Sequence, residues 1–388
     1  MIESVHSVSD DLDPLAGVRS VVADCREQLG DRRAAAGLFF TSCMEADYAP
    51  MLAEIVEAFP DIELIGCTSD GEITPGRGFT EDSSALILLI TEKIVFATAV
   101  AENISTDPEA TIGRAYNQAL ETLDAQPSAA FLLPDGLTTM DISLDVVFQS
   151  VMGESLPIFG GLAGDGFELK KTYQFLGKRV FTDAMPILLL GGELEIAVDI
   201  ARGPVPYGDF YEVNELDGNT IRYIDGVTAL EFYEKFLGDF LDDREISFFP
   251  LAVYNDEDEH FALRDPINVD RSDGSITFLG RIKTPCRARL TQVSREETLK
   301  SAARGTERIL NSFDGRNPEL VLLFCCTSRR HVLGSRTDEE FTVLRQDGRQ
   351  VPYFGFYCYG EIGPFSIGES VNFHSDTCVF VAVRSGSS

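Results

Sequence analysis

The chain has 388 residues, and 44% of them are hydrophobic, which suffices for about two domains of ordinary size. Its 63 acidic and 32 basic residues give a formal net charge of −31. Nucleic acids and anionic membranes bind clustered Lys and Arg, so this charge argues against both as partners.

The cysteines and the N-terminus both favour a cytoplasmic protein. Eight cysteines are scattered without a CxxC pair, which is typical of a reduced compartment and not of a disulfide framework. Residues 1–14 lack the basic and apolar segments of a signal peptide, and no apolar run is long enough to span a bilayer. We therefore expect a soluble, cytoplasmic chain with a flexible N-terminal tail.

Hydrophobic periodicity predicts alternating helices and strands in the first half of the chain. In order these are helix 14–29, strand 35–41, helix 48–59, strands 62–67, 84–91 and 93–101, helix 106–123, strand 128–133, helix 142–151, and strands 156–160, 172–175, 186–190 and 195–200. Residues 203–218 are rich in Gly, Pro and polar residues, so a domain boundary is expected near them.

The second half is predicted to continue with the same element types. These are helix 227–237, strand 245–254, an acidic turn at 256–259, strands 260–263 and 275–279, a helix over 294–313 capped by Ser294 and Glu297, strand 319–326, helix 337–344, and strands 351–357 and 377–383. The predicted fold class is α/β, with mixed sheets and packed helices. The predicted divisions are an N-terminal segment and helix (1–30) and two domains (31–205 and 206–388).

One local pattern, strand–helix–strand–glycine turn–strand, occurs three times. The turns are 66–71 (GCTSDG), 161–166 (GLAGDG) and 355–360 (GFYCYG), and the first and third continue with Glu-Ile. Glycine permits positive φ and close backbone approach, so the repeats predict duplicated units in two related halves. We expect a ligand site where the turns converge, at the interface of the halves. The turns match no phosphate-binding pattern.

A few side chains near these turns could carry chemistry. Four histidines are present, and His331 and His374, which flank apolar strands, are the candidate metal ligands, although such histidines are more often structural hydrogen-bonders. Cys67 and Cys358 lie inside the first and third turns, but a nucleophilic cysteine needs a neighbouring cation or histidine that spacing does not supply. Because no GxSxG or SxxK motif is present, we expect no catalytic residue and no enzyme activity.

These segments resemble the FIST (F-box and intracellular signal transduction) family over nearly the whole chain. The segments that resemble its N-terminal domain are 65–73 (IGCTSDGEI) and 159–166 (FGGLAGDG). Those that resemble its C-terminal domain are 229–233 (ALEFY), 264–266 (RDP), 329–334 (RRHVLG) and 355–363 (GFYCYGEIG).

The resemblance implies a sensory role in bacterial signalling, with a small bound ligand, amino acids among the candidates. A subgroup that resembles this chain in lacking a fused output domain binds haem, senses nitric oxide and regulates a separate histidine kinase. Either His331 or His374 would then ligate the iron. The last family motif often reads His-Asn-x-Thr, and this chain departs from it with Ser375 after His374.

Three functional hypotheses remain open. The first is a non-catalytic haem and nitric oxide sensor, with a histidine kinase partner and a possible homo-oligomeric state. The second is a sensor of a small polar metabolite such as an amino acid, in which Arg329 holds the carboxylate and Glu72 or Glu361 the amine. The third is an enzyme that uses Cys67 or Cys358. The predicted ligand-binding residues are Cys67, Thr68, Gly71, Glu72, Gly161, Asp165, Arg329, Tyr357, Gly360 and Glu361.

Overall fold

One order of elements, β-α-β-α-β-β-β-β, begins the chain, and we call each copy of it a unit. The computed structural model describes residues 1–140, 142–238, 242–255 and 260–386. Unit 1 (residues 3–90) contains β1 (Glu3–Ser9), α1 (Pro14–Leu29), β2 (Ala36–Thr41), α2 (Tyr48–Ala58), β3 (Glu63–Thr68), β4 (Glu72–Thr74), β5 (Gly78–Thr80) and β6 (Ser84–Ile90).

Unit 2 (residues 95–191) repeats this order. Its elements are β7 (Val95–Glu102), α3 (Pro108–Thr122), β8 (Pro127–Leu132), α4 (Leu144–Met152), β9 (Ile158–Gly161), β10 (Gln174–Leu176), β11 (Arg179–Phe181) and β12 (Ala184–Gly191).

Unit 3 begins with β13 (Leu194–Arg202) and is then interrupted by an inserted region, residues 205–292. The elements of the inserted region are β14 (Val205–Asp217), β15 (Thr220–Ile224), β16 (Val227–Thr228), α5 (Ala229–Leu237), α6 (Asp243–Ile246), β17 (Leu251–Asn255), β18 (Phe261–Arg264), β19 (Pro266–Asp270), β20 (Ser275–Phe278) and β21 (Cys286–Gln292).

Unit 3 continues after the inserted region. The remaining elements are α7 (Arg295–Leu310), β22 (Leu320–Cys326), α8 (Thr327–Leu333), a 3₁₀ helix (Gly334–Phe341), α9 (Thr342–Gln346), β23 (Tyr353–Cys358), β24 (Glu361–Gly363), β25 (Asn372–His374) and β26 (Thr377–Ser385).

The first long helix of each unit begins at a capping side chain. Asp13 accepts hydrogen bonds from the N–H groups of Leu15 and Ala16, and Asp107 accepts one from Ala110. A proline then occupies the first turn of both helices, where its missing N–H costs nothing. The predicted cap at Ser294 is confirmed, because its side chain accepts from the N–H of Glu297.

The three units exchange strands in a closed cycle. Each six-stranded sheet holds four strands of one unit and a hairpin from another, in the orders β1-β6-β2-β3-β10-β11, β25-β24-β9-β8-β12-β7 and β13-β26-β22-β23-β4-β5. The hairpin of unit 1 therefore joins the sheet of unit 3, that of unit 3 joins unit 2, and that of unit 2 joins unit 1. The inserted region forms its own eight-stranded sheet.

The inner faces of the three sheets share one apolar core. Phe40, Phe159, Phe324 and Phe356 together represent all three sheets, and all four are buried in this core. The ring centroids of Phe40 and Phe356 are 4.2 Å apart. Those of Phe324 and Phe356 are 5.8 Å apart, with the two rings at a right angle. The outer faces are covered by α1 and α2, by α3 and α4, and by α7 with α9. Burial on both faces explains why the central strands read as continuous apolar runs.

The predicted α/β class with mixed sheets and packed helices is confirmed, and the repeat count is refined. Three related units are present where the sequence suggested two related halves, because the inserted region separates β13 from the rest of unit 3. The N-terminal segment is strand β1, which pairs with β6, and is not a flexible tail. Residues 205–217, near the expected boundary, form β14. The division into 1–30, 31–205 and 206–388 stays a prediction.

Two local assignments differ as well. The predicted strand 245–254 contains the end of α6 before β17, and the predicted helix 337–344 is mostly 3₁₀ helix. The acidic turn predicted at 256–259 lies outside the described residues. Among the residues that are described, no helix combines the length and the apolar composition needed to cross a membrane.

One pair of cysteines departs from the reduced pattern expected from the sequence. Cys325 on β22 and Cys378 on β26 are disulfide-bonded. The two residues stand directly opposite each other in the antiparallel ladder, with their Cα atoms 4.1 Å apart, and this register could not be read from their spacing of 53 residues. The other six cysteines are buried and form no disulfide.

The parallel strands lie so close together at the glycine that opens each turn that no side chain fits there. A Cβ added to Gly66 would lie 2.0 Å from the carbonyl oxygen of Phe39. We expect Gly66→Ala to lower the free energy of unfolding by about 3 kcal/mol or more, since either β2 or β3 must move. Urea denaturation followed by circular dichroism measures this.

Gly113→Ala is the matched control for that measurement. Gly113 lies within α3, where a Cβ would meet its nearest neighbour at 3.8 Å, so alanine should raise the stability by about 0.5–1 kcal/mol. Equal effects of the two substitutions would contradict the packing described for the turns.

Candidate functional site

The three glycine turns are structurally equivalent at their first residue. A Cβ at Gly66, Gly160 or Gly355 would meet a carbonyl oxygen of the adjacent parallel strand at 2.0, 1.9 and 2.1 Å respectively. The second turn therefore begins at Gly160, and the range 161–166 that was predicted for it from the sequence starts one residue too late. The error arose because a Gly-Gly pair offers two alternatives and spacing alone favoured the wrong one.

Backbone hydrogen bonds join the three turns to one another in a ring. The N–H of Asp70 donates to the carbonyl oxygen of Tyr357 at 2.8 Å, which links turns 1 and 3. The N–H of Leu162 donates to the oxygen of Gly360 at 2.9 Å, which links turns 2 and 3. The N–H of Gly164 donates to the oxygen of Thr68 at 3.0 Å and closes the ring. The predicted convergence of the turns is thus confirmed.

A buried polar side chain opens the strand after each turn. Glu72 stands opposite Phe356, Glu361 opposite Gly161, and Gln174 opposite Cys67, so the three residues occupy equivalent positions. All three are fully buried. The repeat identified Glu72 and Glu361, but it missed Gln174, because the loop between Gly160 and β10 is longer in unit 2.

The partners of these three side chains differ from unit to unit. Glu72 accepts hydrogen bonds from the hydroxyls of Ser42 (3.0 Å), Ser69 (2.5 Å) and Ser83. Glu361 accepts from the hydroxyl of Thr377 at 2.5 Å and from the thiol of Cys358 at 3.7 Å.

Gln174 uses its amide group differently. It donates to Asp135 at 3.3 Å and to Thr172 at 3.2 Å, while its oxygen is buried without a partner.

Burial changes the acidity of these carboxyl groups. It raises the pKa of Glu72 to about 7, against the opposing effect of its serine donors. It also raises the pKa of Glu361 well above its ordinary value, with the neighbouring Asp376 acting in the same direction. Both groups therefore hold a proton to a higher pH than an exposed glutamate does.

Asp70, in the first turn, connects all three units. Its carboxylate accepts from the hydroxyl of Thr327 at 2.5 Å and from the N–H of Gly166 at 2.7 Å. Its carbonyl oxygen accepts from Arg330 at 2.7 Å, and Arg330 also forms an ion pair with Glu81. Burial raises the pKa of Asp70 to about 6, although these donors oppose the shift. This single side chain therefore stabilises the junction of the turns.

A cavity of about 340 Å³ lies between this junction and the inserted region. The core side of its wall comes from unit 2, from the end of β22 and the start of α8, and from the third turn: Met140, Phe167, Leu169, Cys326, Thr327, Ser328 and Tyr359. The opposite side comes from the inserted region: Ser247, Phe248, Asp265, Pro266, Ile267 and Leu279. The wall is mainly apolar, and Asp265, Cys326, Thr327 and Ser328 make one polar end.

The polar end contains a close group of titratable side chains. Donor atoms of Asp265, Cys326 and Asp376 all lie within 4.8 Å of one another. The Oδ1 atom of Asp265 is buried and has no hydrogen-bond partner among the described groups. Burial raises the pKa of Asp265 and of the Cys326 thiol well above their ordinary values, and Asp376 reinforces both shifts.

The second loop is folded by a residue predicted to bind ligand. The carboxylate of Asp165 accepts from the N–H groups of Leu169 (2.9 Å), Lys170 (2.6 Å) and Lys171 (2.8 Å), and from the hydroxyl of Tyr359. These bonds hold the loop in the form that directs Phe167 and Leu169 into the cavity wall. Asp165 thus fixes the position of two wall residues without lining the cavity itself.

Arg329, the predicted carboxylate binder, has protein partners. Only 1% of it is exposed, and its Nε donates to Glu340 at 2.8 Å while Nη1 donates to the carbonyl oxygen of Ala201 at 3.1 Å. The second oxygen of Glu340 accepts from the hydroxyl of Tyr357 at 2.6 Å, so this predicted residue belongs to the same internal cluster.

The two candidate metal histidines lie in different surroundings. His374 is buried, which lowers its pKa to about 3, against the opposing effect of the carbonyl oxygen of Gly363 that lies 2.8 Å from its Nε2. His331 is exposed, and its ring lies 4.5 Å from Phe167 and 6.3 Å from Phe248, both of which line the cavity.

The other predicted residues lie behind the cavity wall, at the junction of the turns. Within the described part of the chain, the wall contains none of the ten predicted ligand-binding residues. Asp265 and Cys326 lie in segments named above, the RDP segment and the strand 319–326, but neither was predicted as a site residue. A further signal was available in Asp82, Asp183 and Asp376, which precede the last strand of each unit and share a positive φ of 48–54°.

The sequence matches the family model of the FIST N domain over residues 35–227 and that of the FIST C domain over residues 229–364. These matches cover most of the chain, and the chain belongs to the FIST family. FIST domains are sensor domains of signal transduction, so the expected sensor class is confirmed at this level.

Curated relatives are distant but span the chain. An uncharacterized protein of Mycobacterium tuberculosis is 24% identical over 353 residues, which cover 88% of this chain and 90% of the relative. An uncharacterized protein of Mycobacterium bovis is 23% identical over 328 residues, 82% of each chain. A solved cyanuric acid hydrolase from A. caulinodans is similar with a TM-score of 0.36 and 9% identity over the full length of both chains, a score that carries no weight for fold or activity.

The raised pKa of Glu72 makes the stability depend on pH. The folded chain holds this proton more tightly than the unfolded chain, because the pKa rises from 4.5 to about 7 on burial. The stabilisation is complete below pH 4.5 and is lost as the pH rises through about 7, a change of about 3 kcal/mol. We expect Glu72→Gln to remove this part of the pH dependence between pH 5 and 8.

Urea midpoints measured across that range test the expectation. The equivalent Gln174 indicates that the fold accepts an amide at this position. Glu57→Gln is the control, because that side chain is 70% exposed in its ion pair with Lys178 and should leave the slope unchanged. Parallel pH profiles of wild type and Glu72→Gln would refute the assignment.

Proposed function

We propose that this chain senses a small molecule that binds in the cavity between the inserted region and the junction of the turns. The observation that carries the proposal is the cavity itself, about 340 Å³ with an apolar wall and one polar end. Small-molecule sites have this composition and begin at about 300 Å³. The membership in a family of sensor domains supports the same function.

The wall defines the kind of ligand that fits. Phe248, Ile267 and Leu279 favour a compact apolar body. The unpartnered Oδ1 of Asp265 favours a group that donates a hydrogen bond to it. Such a ligand contacts both the core and the inserted region, and therefore stabilises the arrangement in which both walls close on it. A separate histidine kinase would bind the ligand-bound and ligand-free arrangements differently, either on the single chain or on a homo-oligomer of it.

Binding without catalysis is the better-supported mode of action. The thiols of Cys67 and Cys358 are buried, and burial raises the pKa of both well above the ordinary value. Thiols of this kind contain little thiolate at neutral pH, so they are poor nucleophiles. The cysteine-enzyme hypothesis therefore has less support than a sensor.

An amino acid remains a candidate ligand with changed contacts. Arg329 already bonds to Glu340, so it is not positioned to hold a ligand carboxylate. The amine would bind Asp265 in the cavity, a role given above to Glu72 or Glu361. An apolar amine or amino acid of modest size fits these contacts.

Filling the cavity should abolish binding. We expect a thermal-shift screen of amino acids and small aromatic amines to find compounds that stabilise the protein, by about 2.7 kcal/mol at a hundredfold excess over Kd. Ile267→Trp places an indole in the cavity and should remove these shifts. Ile367→Trp is the control, because Ile367 is 44% exposed and does not line the cavity. Undiminished shifts in Ile267→Trp would place the binding elsewhere.

Haem with nitric oxide is the second candidate ligand, and His331 favours it. Its exposed ring lies beside Phe167 and Phe248, so an iron ligand and an apolar surface are adjacent at the rim of the cavity. His374 fits poorly, because its Nε2 already meets a carbonyl oxygen and its ring is enclosed. Of the two predicted metal ligands, we retain His331 for the haem proposal.

A spectrum of protein expressed with added haem precursor tests this candidate. We expect a Soret band that responds to nitric oxide, is lost in His331→Ala and persists in His260→Ala, a substitution in the inserted region. Absence of the band in the wild-type protein would eliminate haem as the ligand, while leaving the cavity proposal to its own test.

A further inference from the structure

Three different elements bring potential metal ligands to the polar end of the cavity. Asp265 lies between β18 and β19 of the inserted region, Cys326 ends β22, and Asp376 precedes β26. One donor atom from each side chain lies within 4.8 Å of the others. Donor atoms around a tetrahedral zinc ion are about 3.4–3.8 Å apart, as its bond lengths of about 2.0–2.3 Å require. Donors that lie as far apart as 4.8 Å thus need to approach by about 1.0–1.4 Å.

A second observation is that one acceptor atom of this cluster is unsatisfied. The Oδ1 atom of Asp265 is buried against the cavity without a hydrogen-bond partner, whereas the carboxyl group as a whole interacts with Asp376 and Ser375. A buried acceptor without a partner costs about 1–3 kcal/mol. The protein does supply a donor to the other members, since Ser328 donates to Asp376 and its hydroxyl lies 3.1 Å from the Cys326 sulfur.

The donor types select among possible cations. Two carboxylates alone would suit magnesium or calcium, whereas a thiolate is the ligand of zinc and its neighbours in the transition series. The hydroxyl of Ser328 is placed as an outer partner that orients the first ligands, an arrangement common around zinc. The carboxyl group of Glu361 lies close enough to act on the Cys326 thiol, so a divalent ion would bind in a cluster rich in acidic groups.

We propose that Asp265, Cys326 and Asp376 bind a zinc-class divalent metal ion whose fourth coordination position opens to the cavity. The site goes beyond the proposed ligand binding and does not depend on it. If both hold, a carboxylate, thiol or imidazole group of the sensed molecule would complete the coordination, because three-ligand sites keep an open position. The site joins the inserted region to unit 3, so occupancy would also stabilise their contact.

Cobalt(II) is the probe for this site, because its spectrum reports the ligand set directly. We titrate the full chain, freed of metal by a chelator, with Co²⁺ and expect one ion per chain with a near-ultraviolet thiolate-to-metal band and tetrahedral visible bands. Zn²⁺ should displace it. The thiolate band is the readout, because the 63 acidic residues will bind some Co²⁺ weakly at the surface.

Matched variants decide the outcome. Cys326→Ser should abolish the thiolate band, and Asp265→Asn should weaken Zn²⁺ binding about tenfold or more while leaving the far-ultraviolet circular dichroism unchanged. Cys25→Ser is the control, because Cys25 is buried in α1, within the core of unit 1. Absence of the band in wild type, or its survival in Cys326→Ser, overturns the metal site. The thermal shifts lost in Ile267→Trp would still stand, so the two proposals fail separately.

Discussion

The ring of hydrogen bonds between the three glycine turns is the constraint on which the rest of the structure depends. Each turn sends its next strand into the sheet of a neighbouring unit, so no unit completes its own sheet. The bonds from Asp70, Leu162 and Gly164 then connect the turns pairwise. This arrangement explains the glycines, because the parallel strands approach so closely that a Cβ would contact a carbonyl oxygen.

The cavity is the place where the threefold pattern is broken. The polar position after each turn is retained as Glu72, Gln174 and Glu361, but only unit 3 is interrupted by the inserted region. That region faces the end of β22 and leaves a space lined by both. A buried carboxylate destabilises the fold unless it is protonated, accepts hydrogen bonds or binds a cation. The polar end of the cavity therefore favours a ligand that supplies a hydrogen-bond donor or a positive charge.

The sequence predicted much of the fold and less of the site. The repeated turns, the apolar strands, the α/β class and the FIST resemblance all follow from local patterns, and the described structure and the family match bear them out. The hairpin exchange could not be predicted, because pairing between β4 and β23 joins residues nearly 300 positions apart in the chain. The same limit hid the contact of Asp265 with Cys326 and Asp376, which come from three separate elements.

Arg329 shows why residue type alone misleads about a site. An arginine that follows an apolar strand and leads into a loop suggests an anion binder, but folding places Arg329 against Glu340, a partner eleven residues away that has no distinctive motif. His374 likewise meets a backbone carbonyl oxygen. The residues that line the cavity are ordinary in sequence, and only the packing of the inserted region on the core brings them together.

The central claim is that ligand sensing occurs in the cavity beside the junction of the turns. Hydrogen–deuterium exchange of the full chain, with and without a compound that stabilises it in the thermal-shift screen, tests this claim most directly. The account predicts slower exchange in residues 162–169, 246–248 and 265–267, on both walls of the cavity. Protection confined to other segments, with these three unchanged, would contradict it.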